Sequence, residues 1–83
     1  MSKEEQSIPP LDTLRSKLPE NHEAHAELDA LHAEMSKDRP SAHAIRGLVQ
    51  ALHRWPELEA TLTIWWNAPN TQHFIEDLTH IGL

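Results

Sequence analysis

The 83-residue chain contains no cysteine, and its only two glycines are Gly47 and Gly82. Without cysteine, the fold cannot be stabilised by disulfide bonds or by thiolate ligands to zinc. A phosphate-binding loop needs several glycines close together, so this class of nucleotide site is excluded. A domain of this size gains only about 3–5 kcal/mol of stability from one apolar core, and dimerisation is an ordinary way to add to it.

Basic residues are also scarce. The chain has seven Lys and Arg against 13 Asp and Glu, which gives a formal net charge of −6, and no lysine follows position 40. Because binding to phosphates requires a cluster of positive charge, this composition disfavours nucleic-acid binding. An acidic protein can instead bind a basic partner, or it can imitate nucleic acid and so inhibit a nucleic-acid enzyme.

Long apolar runs are absent as well. A membrane-spanning helix needs roughly 20 apolar residues, and no segment of the chain approaches this length. The first residues, MSKEEQSIPP, are polar and lack the apolar region of a signal peptide. These features predict a soluble cytoplasmic protein that does not bind membranes.

The segment 41–67 contains all three tryptophans and the highest density of large aliphatic residues. Its first half has the periodicity of a half-buried helix, because the apolar residues recur on one side. That side is formed by Ala42, Ile45, Leu48, Val49, Leu52 and Trp55. Asp38 or Ser41 can cap the start of this helix, and Pro56 is expected to end it.

Pro56 is also expected to open the next helix, since proline is tolerated in a first turn. The core side of that helix consists of Leu58, Leu62 and Trp65. Ile64 points away from this side, together with Ala60. One apolar side is typical of a surface helix, and a second indicates that another chain or a partner covers it.

Trp65 and Trp66 are adjacent, so on a helix their side chains diverge by about 100° and cannot both enter the same small core. Trp65 is expected to belong to the core. Trp66 is then expected to cover a boundary or to enter an interface, where tryptophan is enriched among the dominant contacts. The predicted interface set is Trp55, Ile64, Trp65 and Trp66.

Apolar residues at helical spacing predict three further helices. These cover residues 10–18, Pro19 to about Ser36, and about 69–81. In the last of them the inward residues are Phe74, Ile75, Leu78 and Ile81. The chain therefore predicts an all-α bundle of four to five short helices with proline-marked joints, in which a flexible tail (1–8) precedes a single helical domain (9–83).

Seven histidines are present, and two sets that combine them with carboxylates have the spacing of metal ligands along one helix. The first set, on the second helix, consists of His22, His25, Asp29 and His32. The other set, on the last helix, consists of His73, Glu76, Asp77 and His80. Most of the latter lie roughly 140–160° from the expected core side and should face solvent. The first set is therefore the candidate metal site.

No arrangement of residues predicts catalysis, and no cofactor is expected. Nucleophilic catalysis needs an activated Ser, Cys or Lys beside an oriented base, and the serines lie in the tail, the first helix, the linker and a cap position. The leading hypothesis is a non-enzymatic interaction module that self-associates or docks on one protein partner through its Trp-rich face. The alternatives are a metal-binding or pH-responsive protein, and an acidic inhibitor of a nucleic-acid enzyme.

Overall fold

The computed structural model describes residues 8–82, and within this range the chain forms five α-helices and no strand. The helices are α1 (Asp12–Arg15), α2 (Ala24–Met35), α3 (Ala42–Leu52), α4 (Glu59–Asn67) and α5 (Pro69–His80). The predicted all-α bundle of short helices is therefore confirmed. Residues 1–7 of the predicted tail lie outside the described residues, and Ile8 is half-buried against the core.

Helices α2 and α3 form the main packing pair. Their inward sides are buried where the periodicity predicts, at Ala24, Leu28, Leu31 and Met35 of α2 and at Ala42, Ile45, Val49 and Leu52 of α3. Ser41 is the cap of α3, because its Oγ accepts a hydrogen bond from the backbone N–H of Ala44 at 3.2 Å. The backbone N–H of Ser41 donates to the carboxylate of Glu34 at 3.0 Å, which fastens the linker to α2.

Three helices begin later than predicted, and the first of them, α1, covers only Asp12–Arg15 of the predicted range 10–18. Helix α2 begins at Ala24, not at Pro19, because the ring Nδ1 of His22 accepts the backbone N–H of Ala24 at 3.0 Å and holds the preceding residues in turns. Helix α4 begins at Glu59, since Pro56 opens a turn in which the N–H of Leu58 donates to the carbonyl of Trp55 at 3.0 Å. Each proline thus precedes its helix and does not form its first turn.

Helices α4 and α5 are separated by the single residue Ala68, whose extended backbone (ψ 142°) redirects the chain before Pro69. Helix α5 follows the predicted range closely, but the expectation that Ile81 points inward is wrong. Ile81 is 67% exposed, because α5 ends at His80 and the left-handed Gly82 (φ +83°) turns the chain away.

One apolar core joins all five helices. The N-terminal segment is attached to it by Trp65, whose indole N–H donates to the carbonyl of Pro10 at 2.8 Å. Leu11, Leu14 and Leu18 of this segment are buried in the same core. In the part of the chain that the structure describes, no helix has the length and apolar character that crossing a membrane requires.

Candidate protein-docking surface

The outer side of α4 consists of uncharged residues. Leu58, Leu62 and Trp65 are buried, and the residues opposite them on the helix are exposed. The exposed residues are Ala60, Thr63, Ile64 and Asn67, which lie within an arc of about 100° and are called the α4 stripe below. The outer side of a surface helix is usually charged or strongly polar, so this composition is unusual.

Ile64 is the centre of the α4 stripe and is 72% exposed. Isolated exposed aliphatic residues are common on protein surfaces. Such a residue indicates a binding site only when the residues around it also lack charge and polarity. Here the two polar neighbours bond to their own helix: the hydroxyl of Thr63 donates to the carbonyl of Glu59 at 3.0 Å, and the amide of Asn67 donates to the carbonyl of Thr63 at 2.9 Å. The Thr63 hydroxyl and one N–H of the Asn67 amide are therefore satisfied within α4, which leaves the stripe less polar than its sequence indicates.

The two neighbouring tryptophans separate as the helical geometry predicts. Trp65 is 8% exposed and belongs to the core, so the structure places this member of the predicted interface set inside the protein. Trp66 is half-buried at the edge of α4, with its ring centroid 6.2 Å from that of Trp65. Its exposed portion borders a groove of about 460 Å³, whose other walls are Arg46, Val49, Gln50 and His53.

A second groove, of about 560 Å³, lies between α3 and α5. It is lined by Arg46, Gln72, Ile75, Glu76, Thr79 and His80. Arg46 lines both grooves, and the side chain of Gln72 donates to the carbonyl of Trp66 at 2.6 Å. Trp66 therefore lies between the α4 stripe and these two depressions.

A signal in the sequence points to this surface, although helical periodicity alone does not reveal it. Residues 60–75 contain no Asp, Glu, Lys or Arg, whereas 24% of the whole chain is charged. The exposed members of this run include the α4 stripe and Pro69, Asn70 and His73 of α5. Depletion of charged residues together with enrichment of aromatic residues distinguishes the centres of protein interfaces from other surfaces.

Trp55, the third predicted interface tryptophan, has a different role. It is half-buried, and its indole N–H donates to the carboxylate of Glu27 at 2.9 Å. The guanidinium of Arg54 pairs with the same carboxylate and lies 4.8 Å from the indole centroid. The ring of His22 packs edge-on against the indole, with the two ring centroids 4.8 Å apart. Trp55 thus fastens the joint between α3 and α4 to α2.

Three of the four predicted metal ligands contact separate partners. His22 bonds to Glu57 at 3.2 Å, His25 donates to the carbonyl of Pro19 at 2.8 Å, and Asp29 pairs with Arg15 at 2.8 Å. The fourth residue, His32, is exposed. The predicted strip assumed one continuous helix, but α2 begins only after His22. Within residues 8–82, no three His, Asp or Glu residues are grouped so that they could hold a metal ion.

Hydrogen bonds lower the pKa of two carboxyl groups in the described residues. The pKa of Glu57 lies below its usual value because of a hydrogen bond with its own backbone and another with His22. The pKa of Glu34 is lowered by its hydrogen bond with Lys37 and by the backbone N–H of Ser41. Since His22 Nδ1 accepts the N–H of Ala24, its Nε2 carries the hydrogen that faces Glu57. These carboxylates hold a turn and a linker in place.

Comparisons of the chain with protein-family models, with curated protein sequences and with solved structures give no match. The chemistry of the surface around Ile64 and Trp66 is therefore inferred from its own residues.

Proposed function

We propose that this protein is a non-enzymatic interaction module that docks on a protein partner through the α4 stripe and the adjoining side of Trp66. The observation that carries the proposal is the exposure of Ile64, at 72%, in the centre of an uncharged outer helix face. When a partner buries exposed apolar surface, the complex gains about 25 cal/mol of stability for each Å² removed from water.

Within residues 8–82, one other large aliphatic residue has an exposure close to that of Ile64. Ile81 is the other large aliphatic residue with high exposure in the described range, but it lies in the turn after α5. Its neighbours Asp77 and His80 are polar and exposed, and Ile81 borders a smaller groove of about 210 Å³ whose lining combines the apolar Ile8 and Leu78 with the charged Lys37 and Asp38. Ile81 therefore serves as a matched control for Ile64, since residue type and exposure are nearly the same.

Site-specific photo-crosslinking tests the proposal. A photoreactive amino acid is introduced at position 64 or at position 81, and the cells that produce the protein are irradiated. We expect a discrete crosslinked species that contains another protein from position 64 and none from position 81. Equal crosslinking from both positions, or none from position 64, would contradict the proposal. Crosslinking between two copies of the chain would mean that the partner is a second copy of this protein and not a different protein.

A further inference from the structure

We infer that the partner contributes a basic amphipathic helix, and that a second copy of this chain is not the occupant. This inference rests on the docking function proposed above and adds the chemistry of the partner. It depends on how charge is distributed around α4 and α5.

The net negative charge of the protein is concentrated in the last third of the chain, which contains α4 and α5. Residues 55–83 have four acidic residues and no Lys or Arg, a balance of −4. The rest of the chain has nine acidic residues (13 minus four) against all seven basic ones, a balance of −2. The four acidic residues, Glu57, Glu59, Glu76 and Asp77, are all exposed. All the formal charge of this segment is therefore negative and exposed.

Two of these carboxylates extend along the side of the surface that Trp66 occupies. Glu59 and Trp66 are seven residues apart in α4, so they share one side of that helix. Glu76 follows Gln72 by one turn of α5, and the side chain of Gln72 bonds to the carbonyl of Trp66. Glu76 also lines the α3–α5 groove, where Arg46 offsets part of the negative charge. One exposed carboxylate on α4 and one on α5 are therefore available near Trp66.

A second copy of the chain is a poor match for this surface. A symmetric dimer uses the same patch on both subunits, so the segment 55–83, with its balance of −4, would face an identical segment. Like charges placed opposite each other across an interface disfavour association. The uncharged stripe alone is short, because the nine residues of α4 extend only about 14 Å at 1.5 Å per residue.

A basic amphipathic helix satisfies the same constraints. Its apolar residues, spaced at three and four positions, can cover Ile64 and the exposed part of Trp66 in the adjoining groove. Lysine or arginine residues that flank this apolar side can then reach Glu59 and Glu76. Charge complementarity of this kind directs the encounter and selects the partner, while burial of apolar surface supplies the affinity.

Two synthetic helical peptides of about four turns test the inference, each with leucine at amphipathic spacing. One carries lysine at every polar position and the other carries glutamate. Binding to the full chain is measured by calorimetry and mapped by NMR chemical-shift changes. We expect the lysine peptide to bind at least about tenfold more tightly than the glutamate peptide, with an affinity that falls as salt rises. The shift changes should centre on the α4 stripe and Trp66.

Matched double variants locate the charge that matters. Glu59→Gln with Glu76→Gln should weaken binding of the lysine peptide by about two- to tenfold. Glu20→Gln with Glu23→Gln changes the net charge equally at exposed positions near the start of α2, and should leave the affinity unchanged. Ile64→Ser should also weaken binding, whereas Ile81→Ser should not.

Three results would overturn the basic-partner inference. These are equal affinity for both peptides, shift changes that centre outside the α4 stripe and Trp66, and an Ile64-dependent dimer in sedimentation. The crosslinking experiment at position 64 remains independent of these measurements. If position 64 crosslinks to another protein but neither peptide binds there, docking stands and only the chemistry assigned to the partner is wrong.

Discussion

Alanine substitutions of Leu62 and Ile64 should have very different effects on stability, although both residues lie in α4. Both changes shorten a four-carbon side chain to a methyl group. Leu62 is 0% exposed and belongs to the core, whereas Ile64 is 72% exposed. The difference between the two variants therefore isolates the contribution of burial.

The expected magnitudes follow from those exposures. Leu62→Ala removes buried carbon atoms and leaves a cavity, which costs about 2–5 kcal/mol. Ile64 has roughly a quarter of its surface buried, so at ~0.8 kcal/mol per buried carbon group its loss of three groups costs about 0.6 kcal/mol. Alanine has the better helix propensity by about 0.4 kcal/mol, which offsets most of that cost. The free energy of unfolding of Ile64→Ala should therefore stay within about 0.5 kcal/mol of the parent value.

Urea denaturation followed by far-UV circular dichroism measures both variants. A core of this size gives a free energy of unfolding of only about 3–5 kcal/mol. The Leu62→Ala variant should therefore be largely or wholly unfolded even without urea. A loss above about 1.5 kcal/mol for Ile64→Ala would mean that this side chain is buried within the single chain. The α4 stripe would then be part of the core, and the docking surface would lose its central residue.

Three further predictions concern the contacts that hold the bundle together. Glu27→Ala should lower the free energy of unfolding by about 1–2 kcal/mol, because the indole N–H of Trp55 loses its acceptor; urea denaturation measures this, and an unchanged midpoint would contradict it. Ser41→Ala should cost about 1 kcal/mol through loss of the α3 cap, and a loss of helicity at α3 amides in NMR would accompany it. The lowered pKa of Glu34 means that its stabilisation is present above its usual value of 4.5 and is lost as the pH falls through the lower folded-state value. Glu34→Gln should therefore be less stable at neutral pH and lose less stability on acidification, whereas identical acid-unfolding curves would refute this role.

Local periodicity was sufficient to predict most of the fold. The inward residues of α3 and α5 recur at helical spacing, and the side-chain oxygen of Ser41 is a common helix cap. The helix starts near Pro19 and Pro56 could not be predicted in the same way. They depend on the ring of His22 bonding to the backbone of Ala24 and on the turn in which the N–H of Leu58 donates to the carbonyl of Trp55.

The candidate surface was predictable only in part. Periodicity placed Ile64 opposite the core and Trp66 at its edge, and the structure has both there. The same reasoning wrongly placed Ile81 inward. It assumed that the helix includes residue 81, whereas α5 ends at His80. The separate partners of His25 and Asp29 involve other parts of the chain, so ligand spacing along one helix could not reveal them.

Thiol labelling tests most directly whether a partner covers the surface around Ile64. Because the chain has no cysteine, Ile64→Cys and Ile81→Cys each introduce a single reactive group. In the purified protein both positions should react rapidly, since the two isoleucines are 72% and 67% exposed. In cells that produce the protein, labelling at position 64 should become much slower relative to position 81. The same ratio of rates in both settings would contradict the proposal that a partner occupies the α4 stripe.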